Sequence, residues 1–296
     1  MAARVEGRDG SWAHPFQANH RESAMTVSTA APLRPDPGTV MWVVAGAAWL
    51  LLLALPLVGS LELAGHHGVA GALGTGTRPP LPVLATFAGG WMVMVAAMML
   101  PTTVPMVRMF HTVTDGQARP RVARAVFQVS YFAIWLAFAA VALIGDLAVH
   151  AVVASWAWLA AHDGLVLAGA LVLAGGVQFT PLTQRCLTLC RDPRAMLFGH
   201  YRRGARGAWA LGVRHGLSCL GCCWALMLVM FATGVGSLWW MVGLTAVMVA
   251  EKTTRWGHRL VTPVGVVLLV AATALVLGEI GPGLSDLHGH SHGHSH

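Results

Sequence analysis

Residues 82–107 read PVLATFAGGWMVMVAAMMLPTTVPMV, without a single Asp, Glu, Lys or Arg. A helix crosses a hydrocarbon core with roughly 20 apolar residues, and this run supplies them. Similar runs lie at residues 40–58, 125–145, 164–181, 214–233, 237–252 and 260–278, so the expected fold is an all-α membrane bundle of about seven spans. The sixth run is the shortest. Residues 147–162, LAVHAVVASWAWLAAH, either extend the third span or form a separate helix at the membrane surface.

Composition points the same way. The chain is 56% hydrophobic and 10% charged, against about 25% charged residues in a soluble domain. Its 12 tryptophans outnumber 2 tyrosines, and Trp42, Trp91, Trp156, Trp158, Trp239, Trp240 and Trp256 fall near expected helix ends, where an indole suits the interface. The net charge of +7 does not mark a nucleic-acid binder, because the basic residues lie in the loops between apolar runs.

Those loops set the orientation. With the N-terminus inside, all but one of the 19 Lys and Arg residues fall on the cytoplasmic side, leaving Arg78 opposite. The cytoplasmic clusters are Arg4, Arg8, Arg21 and Arg34, then Arg108, Arg119, Arg121 and Arg124. They continue with Arg185, Arg191, Arg194, Arg202, Arg203, Arg206 and Arg214, and end with Lys252, Arg255 and Arg259. The expected organisation is a disordered cytoplasmic tail over 1–39, a transmembrane domain over 40–280 and a His-rich periplasmic tail over 281–296, in a bacterial inner membrane.

The candidate chemistry is sulfur and imidazole. Cys186 and Cys190 are four apart and share a face if helical. Cys219, Cys222 and Cys223 open the expected fifth span, where Cys219, Cys223, Met227 and Met230 fall within an arc of about 80°. Both cysteine groups are placed at the cytoplasmic side, where disulfides are disfavoured. Thiolates and thioethers suit Cu(I), and thiolates also suit zinc. Apolar packing explains cysteine and methionine as well, and spacing alone does not separate the two readings. Met98 and Met99 add thioethers in the second span, beside Pro101 and Pro105. These prolines are expected to interrupt the helix and to free backbone carbonyls that protein, water or an ion must satisfy.

On the opposite side, His288, His290, His292, His294 and His296 alternate with Gly and Ser, a composition typical of metal capture. Glu251, Lys252, Gln178, Asp146 and Asp163 read as boundary residues. No phosphate loop or nucleophile elbow is present, so no catalytic residues are assigned and the chain reads as a carrier rather than an enzyme.

Three segments carry a resemblance. They are Ala97-Met98-Met99-Leu100-Pro101 with Pro105-Met106, Thr180-Pro181-Leu182 with Cys186 and Cys190, and Cys219-Leu220-Gly221-Cys222-Cys223-Trp224. In this order they resemble a bacterial family of uncharacterised proteins described as predicted metal-binding integral membrane proteins, over about residues 85–255. Where that family often carries a basic residue, this chain has Thr183, with Arg185 two further on. The resemblance implies metal binding by a helical membrane bundle and supplies no mechanism.

The leading expectation is therefore an inner-membrane transporter or metallochaperone for a soft transition metal, Cu(I) favoured over zinc. Its metal residues are Cys186, Cys190, Cys219, Cys222, Cys223, Met98, Met99, Met227 and Met230, with the five tail histidines. Its expected partners are the lipid bilayer and a membrane or periplasmic protein, without nucleic acid. Two alternatives stand beside it. One is a thiol-redox or assembly protein. The other is a non-catalytic subunit of a partner complex, in which Gly169, Gly175 and Gly176 allow close helix contact.

Overall fold

The computed structural model describes residues 36–54, 79–162, 164–233 and 238–289, all within one unit. Among them the chain forms ten helices and no strand: α1 (Pro37–Ala54), α2 (Pro80–Thr114), α3 (Pro120–Ser155), α4 (Ala157–Ala160), α5 (Gly164–Gln178), α6 (Pro181–Arg191), α7 (Pro193–His200), α8 (Gly204–Thr233), α9 (Leu238–Thr253) and α10 (Gly257–Gly289). Five of these begin with proline, whose fixed φ and missing N–H suit the first helical position. Asp36 and Asp192 cap two of them through their carboxylates, Asp36 to the Thr39 amide and Asp192 to the amides of Arg194 and Ala195.

Five helical segments are long and apolar enough to cross a membrane: Pro37–Ala54, Pro80–Thr114, Pro120–Ser155, Gly204–Met230 and Gly257–Glu279. The expected fourth span is instead a broken one. Its halves, α5 and α6, together make a sixth candidate and are bent by 68°. Thr180-Pro181 explains the break. A residue before proline avoids the helical region, and Thr180 sits in extended backbone at φ −78, ψ 147. Thr183 fixes the corner by donating its hydroxyl across it to the Val177 carbonyl at 2.8 Å. The expected sixth span, α9, has 16 residues. Residues 147–155 continue α3, and the following short helix is α4.

Two expectations are corrected in α2. Pro101 and Pro105 lie inside a continuous helix rather than interrupting it. The ring of Pro101 leaves the Ala97 carbonyl without its helical donor, and the Trp49 indole of α1 donates to that oxygen at 3.1 Å. Trp91 does not mark an interface. It is 3% exposed, well inside α2, and donates to the Trp135 carbonyl of α3 at 3.0 Å. Trp42, Trp156, Trp158, Trp239 and Trp256 are exposed.

α8 is the central helix. It packs against α3, α5, α6 and α9, and its closest fit is to α3. Gly212 and Gly216 make that fit possible. A Cβ on Gly212 would lie 2.5 Å from the Phe127 carbonyl oxygen, and one on Gly216 3.1 Å from the Ile134 side chain. Small residues four apart let helix backbones approach where hydrophobic burial cannot drive association. Gly175 plays a similar part between α5 and α10, where its Cβ would lie 2.9 Å from the Gly265 carbonyl oxygen. Gly169 and Gly176, by contrast, face open space.

These glycines differ in what substitution should cost. Gly212→Ala should lower unfolding stability in detergent by about 2 kcal/mol or more, because backbone must move to admit the methyl. Gly176→Ala should leave it unchanged or raise it by about 0.5 kcal/mol, by removing a helix-interior glycine. Thermal unfolding of the two variants against wild type checks this. Equal destabilisation would show that α8 does not depend on the Gly212 contact.

Candidate metal centre

The bend between α5 and α6 turns α6 back across the middle of α8, where Cys219, Cys222 and Cys223 lie about half-way along the helix rather than in its first turns, and over the C-terminal end of α9. α6 is held there by Arg191. Its guanidinium donates to the Glu251 and Thr254 carbonyls, each at 2.7 Å, and to the Arg255 carbonyl at 3.3 Å. The Glu251 carbonyl is in the last turn of α9 and the other two lie just beyond its end, so one side chain both caps α9 and fastens α6 to it. Gln178, at the end of α5, adds a buried hydrogen bond to the Glu251 carboxylate at 3.2 Å.

This closure brings the cysteines of α6 to those of α8. Cys190 Sγ lies 4.0 Å from Cys222 Sγ. Cys186 Sγ packs where α8 is bare, only 2.6 Å from where a Cβ on Gly221 would stand. On α8 the Cys222 and Cys223 thiols both turn back to the Cys219 carbonyl, at 3.1 and 2.8 Å. Cys219, Cys222 and Cys223 are buried, and Cys186 and Cys190 are half-buried.

The centre of the cluster is a cation. Lys252 Nζ stands 3.2 Å from Cys219 Sγ, 3.7 Å from Cys223 Sγ and 3.7 Å from Met99 Sδ. Cys219 Sγ also meets the Tyr131 hydroxyl at 3.3 Å. One turn earlier on α8, His215 is 4% exposed and stacked on Tyr131 and Phe127, with ring centroids 5.4 and 6.0 Å away. Neither of its ring nitrogens has a hydrogen-bond partner among the described residues.

The sulfur residues form one connected group: Cys190 meets Cys222 and also lies within interaction range of Cys219, and Cys219, Cys223 and Met99 surround Lys252. Met98, Met227 and Met230 are fully buried in the same apolar cluster. Among the described residues, no three His, Cys, Asp or Glu side chains converge into a ready-made metal set. His290, His292, His294 and His296 lie outside the described residues, as does the His288 side chain. The same holds for Asp163 and for residues 1–35 of the expected tail.

Glu251, Lys252 and Gln178, expected as boundary residues, sit at helix ends but are enclosed by protein. Glu251 is 3% and Lys252 8% exposed, and Gln178 is also buried. The signal for them was present: ionisable side chains beside an apolar run are costly in a membrane unless they serve a site. His215 carried a signal too, since it lies four residues before Cys219 on the same face of α8; Tyr131 had none, because nothing in the α3 sequence announces that it faces the cysteines.

The Arg191 clamp has a measurable consequence. Arg191→Ala should lower stability by about 2 kcal/mol, the range for hydrogen bonds from a charged donor, and should loosen Cys190 from Cys222. Dibromobimane fluoresces when it bridges two nearby thiols. With Cys186, Cys219 and Cys223 changed to Ser, so that Cys190 and Cys222 are the only thiols, the protein should react strongly, further change of Cys190 to Ser should abolish the reaction, and Arg191→Ala in the same background should weaken it. Full bridging in Arg191→Ala would show that the clamp does not hold the pair.

Comparison with known proteins fits this chemistry. The family model PpoB2, described as copper chaperone, matches residues 88–275. That stretch contains all five cysteines, Met99 and Lys252. No curated protein and no solved structure matches the chain. The extent of the family match is decisive: the chain belongs to the PpoB2 family of copper chaperones.

Proposed function

We propose that the chain is a multi-pass inner-membrane protein that receives Cu(I) and holds it at the sulfur centre of α2, α6, α8 and α9. The observation that carries this reading is the meeting of cysteines from two helices, Cys190 with Cys222, beside a second group formed by Cys219, Cys223 and Met99. These are soft donors with little oxygen or nitrogen competition, which suits Cu(I) better than harder cations. The Cys190–Cys222 separation is also close to what a shared ion needs, since a metal–thiolate bond is about 2.3 Å long.

In this reading the protein crosses the membrane seven times with its N-terminus inside. The bent α5–α6 pair is the fourth crossing, α9 the sixth, and the cysteines lie at the cytoplasmic end. The histidine tail gathers copper on the far side. Met227 and Met230 of α8, with Met241 and Met248 of α9, belong to one buried cluster with the cysteines, and they offer weak thioether stations between the two faces. The protein then passes copper to a membrane or periplasmic partner, or across the bilayer.

Metal content tests the reading. Full-length protein loaded anaerobically with Cu(I) and desalted should retain copper. Changing Cys186, Cys190, Cys219, Cys222 and Cys223 together to Ser should remove the tightly held copper. Removing residues 281–296 should slow loading at low copper yet leave the tight site. Equal copper in the wild-type and five-serine proteins would sink the proposal.

A further inference from the structure

Metal binding alone does not explain the cation at the centre, Lys252. It is buried, and it forms no ion pair with a carboxylate among the described residues. The nearest acid, Glu251, is turned to Gln178. A buried charge is costly unless paired or well hydrogen-bonded. Here the ammonium points its donors at two cysteine sulfurs and one methionine sulfur.

Those three sulfurs come from two helices, α2 and α8, and the ammonium comes from a third, α9. Any cation held by all three sulfurs would stand where Nζ now stands. We infer that the Lys252 ammonium keeps the place of a monovalent soft cation, so that copper and lysine occupy the sulfur cage in turn. The inference rests on the copper reading above and adds what occupies the cage in the absence of copper.

With Cys219 and Cys223 thiolate in both states, so that no thiol proton is released, exchange of one single positive charge for another leaves the local charge balance unchanged. A divalent ion would add a charge in a medium of low dielectric, where uncompensated charge is expensive. The cage is thus matched to Cu(I) and disfavours Zn(II), independently of the softness of sulfur. The lysine has somewhere to go. Lys252 is one residue from the end of α9, and a flexible four-carbon stem can carry the ammonium from that helix end to the interface.

The exchange is tested on full-length protein in detergent with Cu(I), Ag(I) and Zn(II). Affinities come from competition with chromophoric chelators. Exposure of Lys252 comes from acylation by an amine-reactive ester, read by mass spectrometry. In wild type, Lys252 should be protected without metal and acylated after Cu(I) or Ag(I) loading. Lys252→Gln, with no ammonium to displace, should bind Cu(I) about tenfold more tightly and discriminate less against Zn(II). Lys252 that stays protected in the copper-loaded protein overturns the inference, as does folded Lys252→Gln that binds Cu(I) no more tightly than wild type. If Lys252→Gln fails to fold, acylation of the wild type decides alone. Cys219→Ser/Cys223→Ser separates the two levels. If it binds Cu(I) like wild type, the copper reading of this cage fails. If it loses copper while Lys252 remains protected in wild type, only the exchange fails.

Discussion

The close approach of α8 to α3 is the constraint on which the centre depends. In the proposed membrane setting, lipid is as apolar as the side chains, so helices associate through fit rather than through exclusion of water. Gly212 and Gly216 bring the α8 backbone against the Phe127 carbonyl and the Ile134 side chain. Once α8 is seated there, the next turns have fixed directions. His215 enters the slot between Phe127 and Tyr131, and Cys219 meets the Tyr131 hydroxyl. Cys223, Met227 and Met230 follow on the same inward face. The line of sulfur on α8 becomes an interior line because two glycines set the rotation of the helix.

The second constraint is the corner at Thr180-Pro181. A straight fourth helix would carry Cys186 and Cys190 away from α8. The 68° bend turns α6 across the bundle, and Arg191 anchors it to carbonyls at and just beyond the C-terminus of α9. Thr183, which stands where a basic residue is common in the family that the sequence resembles, ties the corner to Val177. The same corner explains the burial of Glu251 and Lys252. They end a helix, which would ordinarily expose them, but α6 lies over that end.

Sequence patterns revealed the helices readily, because long uncharged runs have few structural alternatives in a membrane. The cysteine groups were also legible, and their convergence followed from placing both at one face. What pattern could not show was contact between distant elements. The Ala97 carbonyl freed by Pro101 is bonded by Trp49, forty-eight residues earlier. Trp91 looks like an interfacial residue by position and composition, yet it is buried against α3. Lys252 counts as one more cytoplasmic charge until α6 is seen to cover it. Each of these depends on a neighbouring helix. Periodicity within one helix carries no record of its neighbours.

Sulfur ligation of copper where α6 crosses α8 beside the end of α9 is the central claim, and copper K-edge X-ray absorption tests it most directly. The sample is full-length protein loaded with Cu(I) below one equivalent, so that the tightest site fills first. The account predicts a first shell made of sulfur alone, which disappears when the five cysteines are changed to serine. A first shell dominated by nitrogen or oxygen would contradict it and would move the copper site to imidazoles.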